Sequence, residues 1–272
     1  MTTFERDTTI ETVAPGHHRA RLGDGWWIGP GPNGGYMAAV LLRAIVVATN
    51  DPARAPRSLT VHYVRRPERG VADIHTTIER AGRSLSTVSA RLVQEGRVVA
   101  VALAALSGPR RTSRDLVLPS ACMPEAIPLA HARPWRAAEG SLAARFHDRF
   151  EMRWAIPETP WSGARTARSA AWVRLAEPCP VDAAVIALYA DALPPAVFAV
   201  AREWEEVGPV PTVDLTVHFR APLPLAGADA DDFLLCRFET RVASEGFLEE
   251  DGEIWTADGR LVAQSRQLAI LA

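Results

Sequence analysis

All thirty basic residues of this 272-residue chain are arginine. A chain without lysine has no Walker lysine for a nucleotide phosphate, no Schiff-base amine and no Ser–Lys dyad. Cys122, Cys179 and Cys236 are odd in number, far apart and in no CxxC spacing, so neither a disulfide framework nor a structural zinc site is expected, and the compartment reads as reducing. His62 and His218 alternate with apolar neighbours, and with no HExxH or HxH spacing they read as half-buried strand residues. His17-His18 reads as a surface pair, and Glu245, Glu249, Glu250, Asp251 and Glu253 as a solvated strand and turn. Asn33-Gly34-Gly35 is more suggestive. Asn33 suits a helix cap, and the unpaired first-turn N–H groups, at the positive end of the helix dipole, can face an oxyanion that glycine lets approach. The same pair also fits a helix packed closely on a strand. Asp214, after Pro211-Thr212-Val213, fits either a general base or a strand-start residue bonded to its own turn.

These residues need elements to hold them. Residues 33–49 predict a helix whose Met37, Val40, Leu41, Ala44, Ile45 and Ala48 form one stripe, with Ala38, Ala39, Leu42, Val46 and Val47 filling the rest. A helix apolar nearly all round, and too short for the roughly 18 residues of a membrane span, belongs inside a fold. Residues 181–193 repeat this pattern, stopped by Pro194-Pro195. Strands are expected at 58–64, 71–79, 85–94 and 98–106, and again at 213–220, 233–244, 247–256 and 261–271, with shorter ones near 18–22, 150–154 and 170–175. Trp26-Trp27 is expected in the core.

The two runs resemble each other. LTVHY from Leu59 recurs as LTVHF from Leu215, 156 residues on, MAAVLLRAI from Met37 resembles DAAVIALYA from Asp182, and GRVVA from Gly96 resembles GRLVA from Gly259. Shared order indicates a duplication, with a unit at 1–108, a proline-rich linker at 109–145 and a second unit at 146–272. Each unit is α+β, a buried helix wrapped by an antiparallel sheet.

That order, together with the stretch from Trp26 to Leu42, the segment Thr212 to Phe219 and the tail Asp258 to Gln267, resembles the double hotdog acyl-CoA thioesterases, in particular the bacterial acyl-CoA thioesterase II family. The resemblance implies hydrolysis of a fatty or related acyl-CoA to free acid and coenzyme A, with no metal or organic cofactor. It also implies a water held by an aspartate, a hydroxyl and a glutamine. Asp214 and Gln267 match by position; the hydroxyl falls to Thr240 or Ser244, of which Thr240 is preferred. Substrate contacts are expected from Asn33, Gly34, Gly35 and Tyr36, with Tyr36 standing where the family commonly has glutamine. Ser58 and Ala104 occupy the places of Asp214 and Gln267 in the first copy, so one competent and one degenerate site are expected.

Two other readings stand beside this one: a non-catalytic acyl-CoA-binding protein of the same fold, and an enoyl-CoA hydratase, whose Asp–His pair has no counterpart near Asn33 or Val181. A net charge of −2 excludes the basic footprint of a nucleic-acid binder. The polar N-terminus shows no signal-peptide pattern, so a cytoplasmic chain without membrane contact is expected. The resemblance, and the frequency of symmetric assemblies, point to a homo-oligomer.

Overall fold

The computed structural model describes residues 1–108, 122–135, 144–225 and 232–271. The first arm carries α1 (Thr3–Asp7), β1 (Glu11–Ala14), β2 (His17–Leu22), α2 (Gly34–Thr49), β3 (Ala55–Tyr63), β4 (Gly70–Ala81), β5 (Ser86–Gln94) and β6 (Arg97–Ser107). The second carries β7 (Arg133–Trp135), α3 (Ala144–His147), β8 (Phe150–Trp154), β9 (Ala167–Leu175), α4 (Ala183–Tyr189), β10 (Thr212–Phe219), β11 (Leu234–Thr240), β12 (Ala243–Ser244), β13 (Phe247–Thr256) and β14 (Leu261–Ile270). Among the described residues these strands form one 14-stranded antiparallel sheet in the order β1-β2-β4-β5-β6-β3-β10-β14-β13-β11-β9-β8-β7, with β12 paired to β13.

The duplicated segments meet at the centre. β3 and β10 pair antiparallel, Leu59 opposite Val217 and Val61 opposite Leu215, and the hydroxyls of Thr60 and Thr216, 156 residues apart, bond to each other at 3.0 Å. That pair marks the approximate two-fold axis relating the arms. Each arm wraps a helix, so the architecture is the double hotdog that the resemblance implied.

Between Gly35 and Ile45 the side chains of α2 are buried, Arg43 excepted, and each large aliphatic one contributes about 1.5–3 kcal/mol. Asn33 Oδ1 caps the helix by accepting from the Tyr36 N–H at 2.8 Å, and Asn50 ends it in the left-handed conformation at φ 48°. The second helix is shorter than its apolar pattern predicts. It stops at Tyr189 rather than Leu193: the Asp191 and Ala192 N–H groups bond three residues back, to Leu188 and Tyr189, tightening the chain into a turn, and Pro194-Pro195 offers no donors to resume the helix.

Two other expectations change. Part of the expected linker is integral: Ile127 donates to the Ala155 carbonyl and accepts from Trp172 Nε1, and β7 extends the sheet edge. Residues 109–121 and 136–143 of it lie outside the described residues. His18 is buried, not superficial, with its ring nitrogens 3.2 Å from the hydroxyls of Thr12 and Thr76, while His17 stacks on His75 and meets Asp73 at 2.8 Å. Trp26 and Trp27 are core residues, as expected. No helix among the described residues is long and apolar enough to cross a membrane.

Candidate active site

The site forms where α2 begins and α4 ends. Gly35 lets the two helices approach: a Cβ there would sit 2.5 Å from the Leu188 carbonyl oxygen and 2.9 Å from that of Ala187. Just past the end of α4 the chain turns Asp191 back onto the start of α2. Asn33 Nδ2 donates to Asp191 Oδ2 at 2.8 Å and to its backbone carbonyl at 2.6 Å, and the Gly35 N–H donates to Oδ2 at 3.1 Å. Burial raises the Asp191 carboxyl to about 6, against the pull of those donors toward its ionised form. Tyr63 donates its hydroxyl to the Gly34 carbonyl at 2.7 Å; burial, and then the charges of Asp191 and Asp214, push its phenol well above its ordinary value.

A second set of polar groups lies on the inner face of the sheet. Gln267 on β14 accepts at Oε1 from the Thr212 hydroxyl at 2.9 Å and donates from Nε2 to Glu250 Oε1 at 2.7 Å. Glu250 Oε2 takes the Ala196 N–H at 2.6 Å. Burial raises the Glu250 carboxyl to about 7, with smaller contributions from the nearby charges of Asp191 and Glu249. The segment between α4 and β10 supplies Asp191, the Ala196 N–H and Thr212, which ties the helix side of the site to the sheet side.

This arrangement departs from the expected residue set. β10 carries a register shift between Thr212 and Asp214: Thr212 pairs with Ala269, Asp214 with Leu268 and Leu215 with Gln267. The extra residue flips the alternation, so Thr212 shares the inner face with Gln267 while Asp214 lies on the outer face beside His62 and Thr216. Gln267 thus takes Thr212 rather than Asp214 as its hydrogen-bond partner on this strand, and the Asp214 charge acts on the Tyr63 phenol. Thr240 is buried beside Glu250, two strands or roughly 10 Å from Gln267, and its hydroxyl has no hydrogen-bond partner among the described residues. Ser244 is exposed at the sheet edge opposite Phe247 and stands apart from the site. Of the expected set, Asn33, Gly34 and Gly35 gather at Asp191 and Gln267 at Thr212 and Glu250, two groups linked by the field of Asp191 on Glu250. Tyr36 does not: its ring stacks on Trp26 at 5.3 Å and its hydroxyl donates to the Asp7 carbonyl, making it a core residue.

Asp191, Thr212 and Glu250 are the residues that sequence reasoning missed. The signal for Asp191 was a lone carboxylate in an almost wholly apolar segment, at the helix end where the dipole opposes it. The signal for Glu250 was its alternation with Leu248, Gly252 and Ile254, which places it on the buried face of β13 and overturns its reading as a solvated residue. Nothing in the sequence marked the shift that turns Thr212 inward. No cluster of His, Cys, Asp and Glu among the described residues has the geometry to hold a metal ion.

Comparison with known proteins agrees with the double hotdog architecture. Residues 23–107 match the profile of the acyl-CoA thioesterase N-terminal domain, and residues 124–271 that of the acyl-CoA thioesterase C-terminal domain. The chain belongs to the acyl-CoA thioesterase family and is a thioester hydrolase. An uncharacterised protein of Mycobacterium tuberculosis is 27% identical over 290 residues, covering 94% of this chain and 93% of its own. Among solved structures, a protein assigned as a thioesterase II from Thermobifida fusca is 28% identical with a TM-score of 0.81, covering 100% of this chain and 98% of its own. A hot dog fold protein of unknown function from Alicyclobacillus acidocaldarius (24% identity, TM-score 0.85, 100% and 98% covered) shares the fold. So does an acyl-CoA thioesterase II from Mycobacterium marinum (20%, 0.78, 99% and 98%).

Proposed function

We propose that the chain hydrolyses fatty or related acyl-CoA by direct attack of a water held between Asp191 and Thr212, the latter oriented by Gln267, with no covalent acyl-enzyme. The observation that carries this reading is the Asp191 carboxylate, buried, fixed by Asn33 and Gly35, and raised to about 6, a value suited to a base that is ionised at neutral pH yet still takes a proton readily. Asp191 takes one proton of the water as its oxygen attacks the thioester carbonyl. The tetrahedral intermediate then collapses with loss of the coenzyme A thiolate, a leaving group that needs little help from a strong acid.

The start of α2 has a different part from the one its glycines suggested. The Gly35 N–H is spent on Asp191, so the helix end positions the base and favours its ionised form. An oxyanion forming beside it is stabilised by the same helix field and by the Gln267 N–H that Glu250 leaves free. The water loses little freedom on reaction because its partners are already bonded in place, which lowers the entropic part of the barrier.

The test is thiol release from acyl-CoAs of increasing chain length, comparing wild type with Asp191→Asn. Turnover that disappears in the variant while acyl-CoA still binds supports the reading; wild-type turnover in the variant overturns it.

A further inference from the structure

Glu250 is a buried carboxylate that the water-attack reading does not use, and both of its hydrogen-bond partners are neutral. A buried acid without a cation beside it is costly and needs a reason. Its two oxygens face two donors. Ala196 offers a backbone N–H, which cannot be anything but a donor, and Gln267 offers an amide that could turn either way.

Resting on the water-attack reading above, we propose that Glu250 is a positioning residue that fixes the direction of the hydrogen-bond chain leading to the attacking water. An ionised Glu250 accepts only, so Gln267 must present Nε2 to it and Oε1 to Thr212. Thr212 then spends its hydroxyl hydrogen on Gln267 and can only accept from the water. The ionised Asp191 likewise only accepts. The water gives one hydrogen to each and keeps a lone pair for the thioester carbonyl. Reversing the chain turns Thr212 into a donor to that lone pair and blocks the attack.

Glu250→Gln reverses it with almost no change of shape. The Ala196 N–H holds the new amide oxygen, the new amide nitrogen faces Gln267, and Gln267 must turn over. Protonating Glu250 has the same effect. The groups facing it are Asp191 from the segment after α4, Gln267 from β14, Thr240 from β11 and Glu249 on its own strand, whose carboxylate takes the Arg241 N–H. Burial, and after it these two acids, raise its carboxyl to about 7, so the acid limb of kcat in wild type follows Glu250.

The experiment measures kcat, KM and the pH profile of acyl-CoA hydrolysis for wild type, Glu250→Gln, Gln267→Ala, the double variant and Asp191→Asn, with the melting temperature of each. Glu250→Gln is expected to lower kcat about 10–100-fold with KM within about twofold and the fold intact. Its residual activity has an acid limb moved down toward pH 6, where Asp191 titrates. In the Gln267→Ala background the same substitution costs nothing further, because Glu250 acts through Gln267. A kcat within twofold of wild type, an unmoved acid limb, or additive losses in the double variant overturns the proposal. If Asp191→Asn is inactive while Glu250→Gln is normal, only the role of Glu250 fails; if Asp191→Asn is active, the water-attack reading fails with it.

Discussion

The two arms share one backbone plan and differ in what they place at equivalent points. Each central strand carries a register shift near its start, between Pro56 and Ser58 in β3 and between Thr212 and Asp214 in β10. Across the sheet, Leu215 faces Gln267 and Gln267 faces Glu250, whereas Leu59 faces Ala104 and Ala104 faces Val88. The second arm thus has Thr212, Gln267 and Glu250 where the first has Pro56, Ala104 and Val88. The helices differ in the opposite sense. α2 is a 16-residue helix, buried along most of its length, and α4 has 7 residues, ending early enough for the chain to turn Asp191 onto the start of α2. One arm keeps a long apolar helix and an apolar inner face, and the other gives up helix and apolar contact to build polar groups. The candidate site draws its sheet residues from one arm and its capping Asn33 and Gly35 from the other.

The largest way to break this asymmetry is to remove the base. Asp191→Asn keeps the shape and the bond to Gly35 but not the charge, and kcat is expected to fall about 10³–10⁴-fold in the thiol-release assay. The reciprocal substitution, Ala104→Gln, puts the active arm's residue into the silent one. Ala104 is 1% exposed beside Leu59 and Val88, where a glutamine amide finds no partner. A loss of about 1–3 kcal/mol in denaturant unfolding is expected with no second site gained, so kcat of the folded fraction stays within twofold. A doubled turnover per chain would show that the arms differ by less than the sheet pairing implies.

Much of this is legible in the sequence. The central strands, the long helix and the pairing of the two copies follow from alternation, from the 3.6 period and from repeated segments, signals that depend on many residues and survive local irregularity. The site depends on single residues and on parity. One extra residue in β10 exchanged the faces of Thr212 and Asp214, and no periodic pattern registers an insertion of one. Gln267 and the Asn33-Gly34-Gly35 opening were legible because they sit in regular elements with intact phase. Asp191 lies where an expected helix stops early, a boundary set by the following prolines and by the closeness of α2, which is a tertiary fact.

The contact between the helices gives the next prediction. Gly35→Ala drives a methyl against the backbone carbonyls of Leu188 and Ala187, neither of which can swing aside like a side-chain tip. Expected is a loss of about 1–3 kcal/mol on overpacking, read by denaturant unfolding, together with lower kcat because the same shift moves Asp191 from the Gly35 N–H. Stability also separates the arms through pH. Asp191 and Glu250 titrate near 6 and 7 in the fold, above their ordinary values of 3.8 and 4.5, so between those limits the folded chain binds more protons than the unfolded one. Their contribution is fully present below about pH 4 and lost as pH rises through 6 and 7. Asp191→Asn is therefore expected to raise the melting temperature at pH 8 by a few degrees, with the gain shrinking toward pH 5. An equal gain at both pH values would mean that the carboxylate does not titrate as its burial implies.

The smallest expected effect is the most discriminating, because it concerns the residue that the sequence alone favours. Asp214 stands after the register shift, half-buried on the outer face of β10, between His62 and Leu268 on the neighbouring strands. Gln267 points to the opposite face, toward Thr212 and Glu250. The Asp214 charge acts on the Tyr63 phenol, which is already held neutral by burial. Asp214→Asn is thus expected to leave kcat within about twofold and the melting temperature within a degree or two, the range of a surface substitution. A collapse of kcat comparable to that of Asp191→Asn would mean that the register shift slips in solution, returning Asp214 to the inner face and Thr212 to the outer. Such a slip reverses the facing of a short stretch of strand, and it would erase the Thr212–Gln267 bond on which the contrast between the two arms depends.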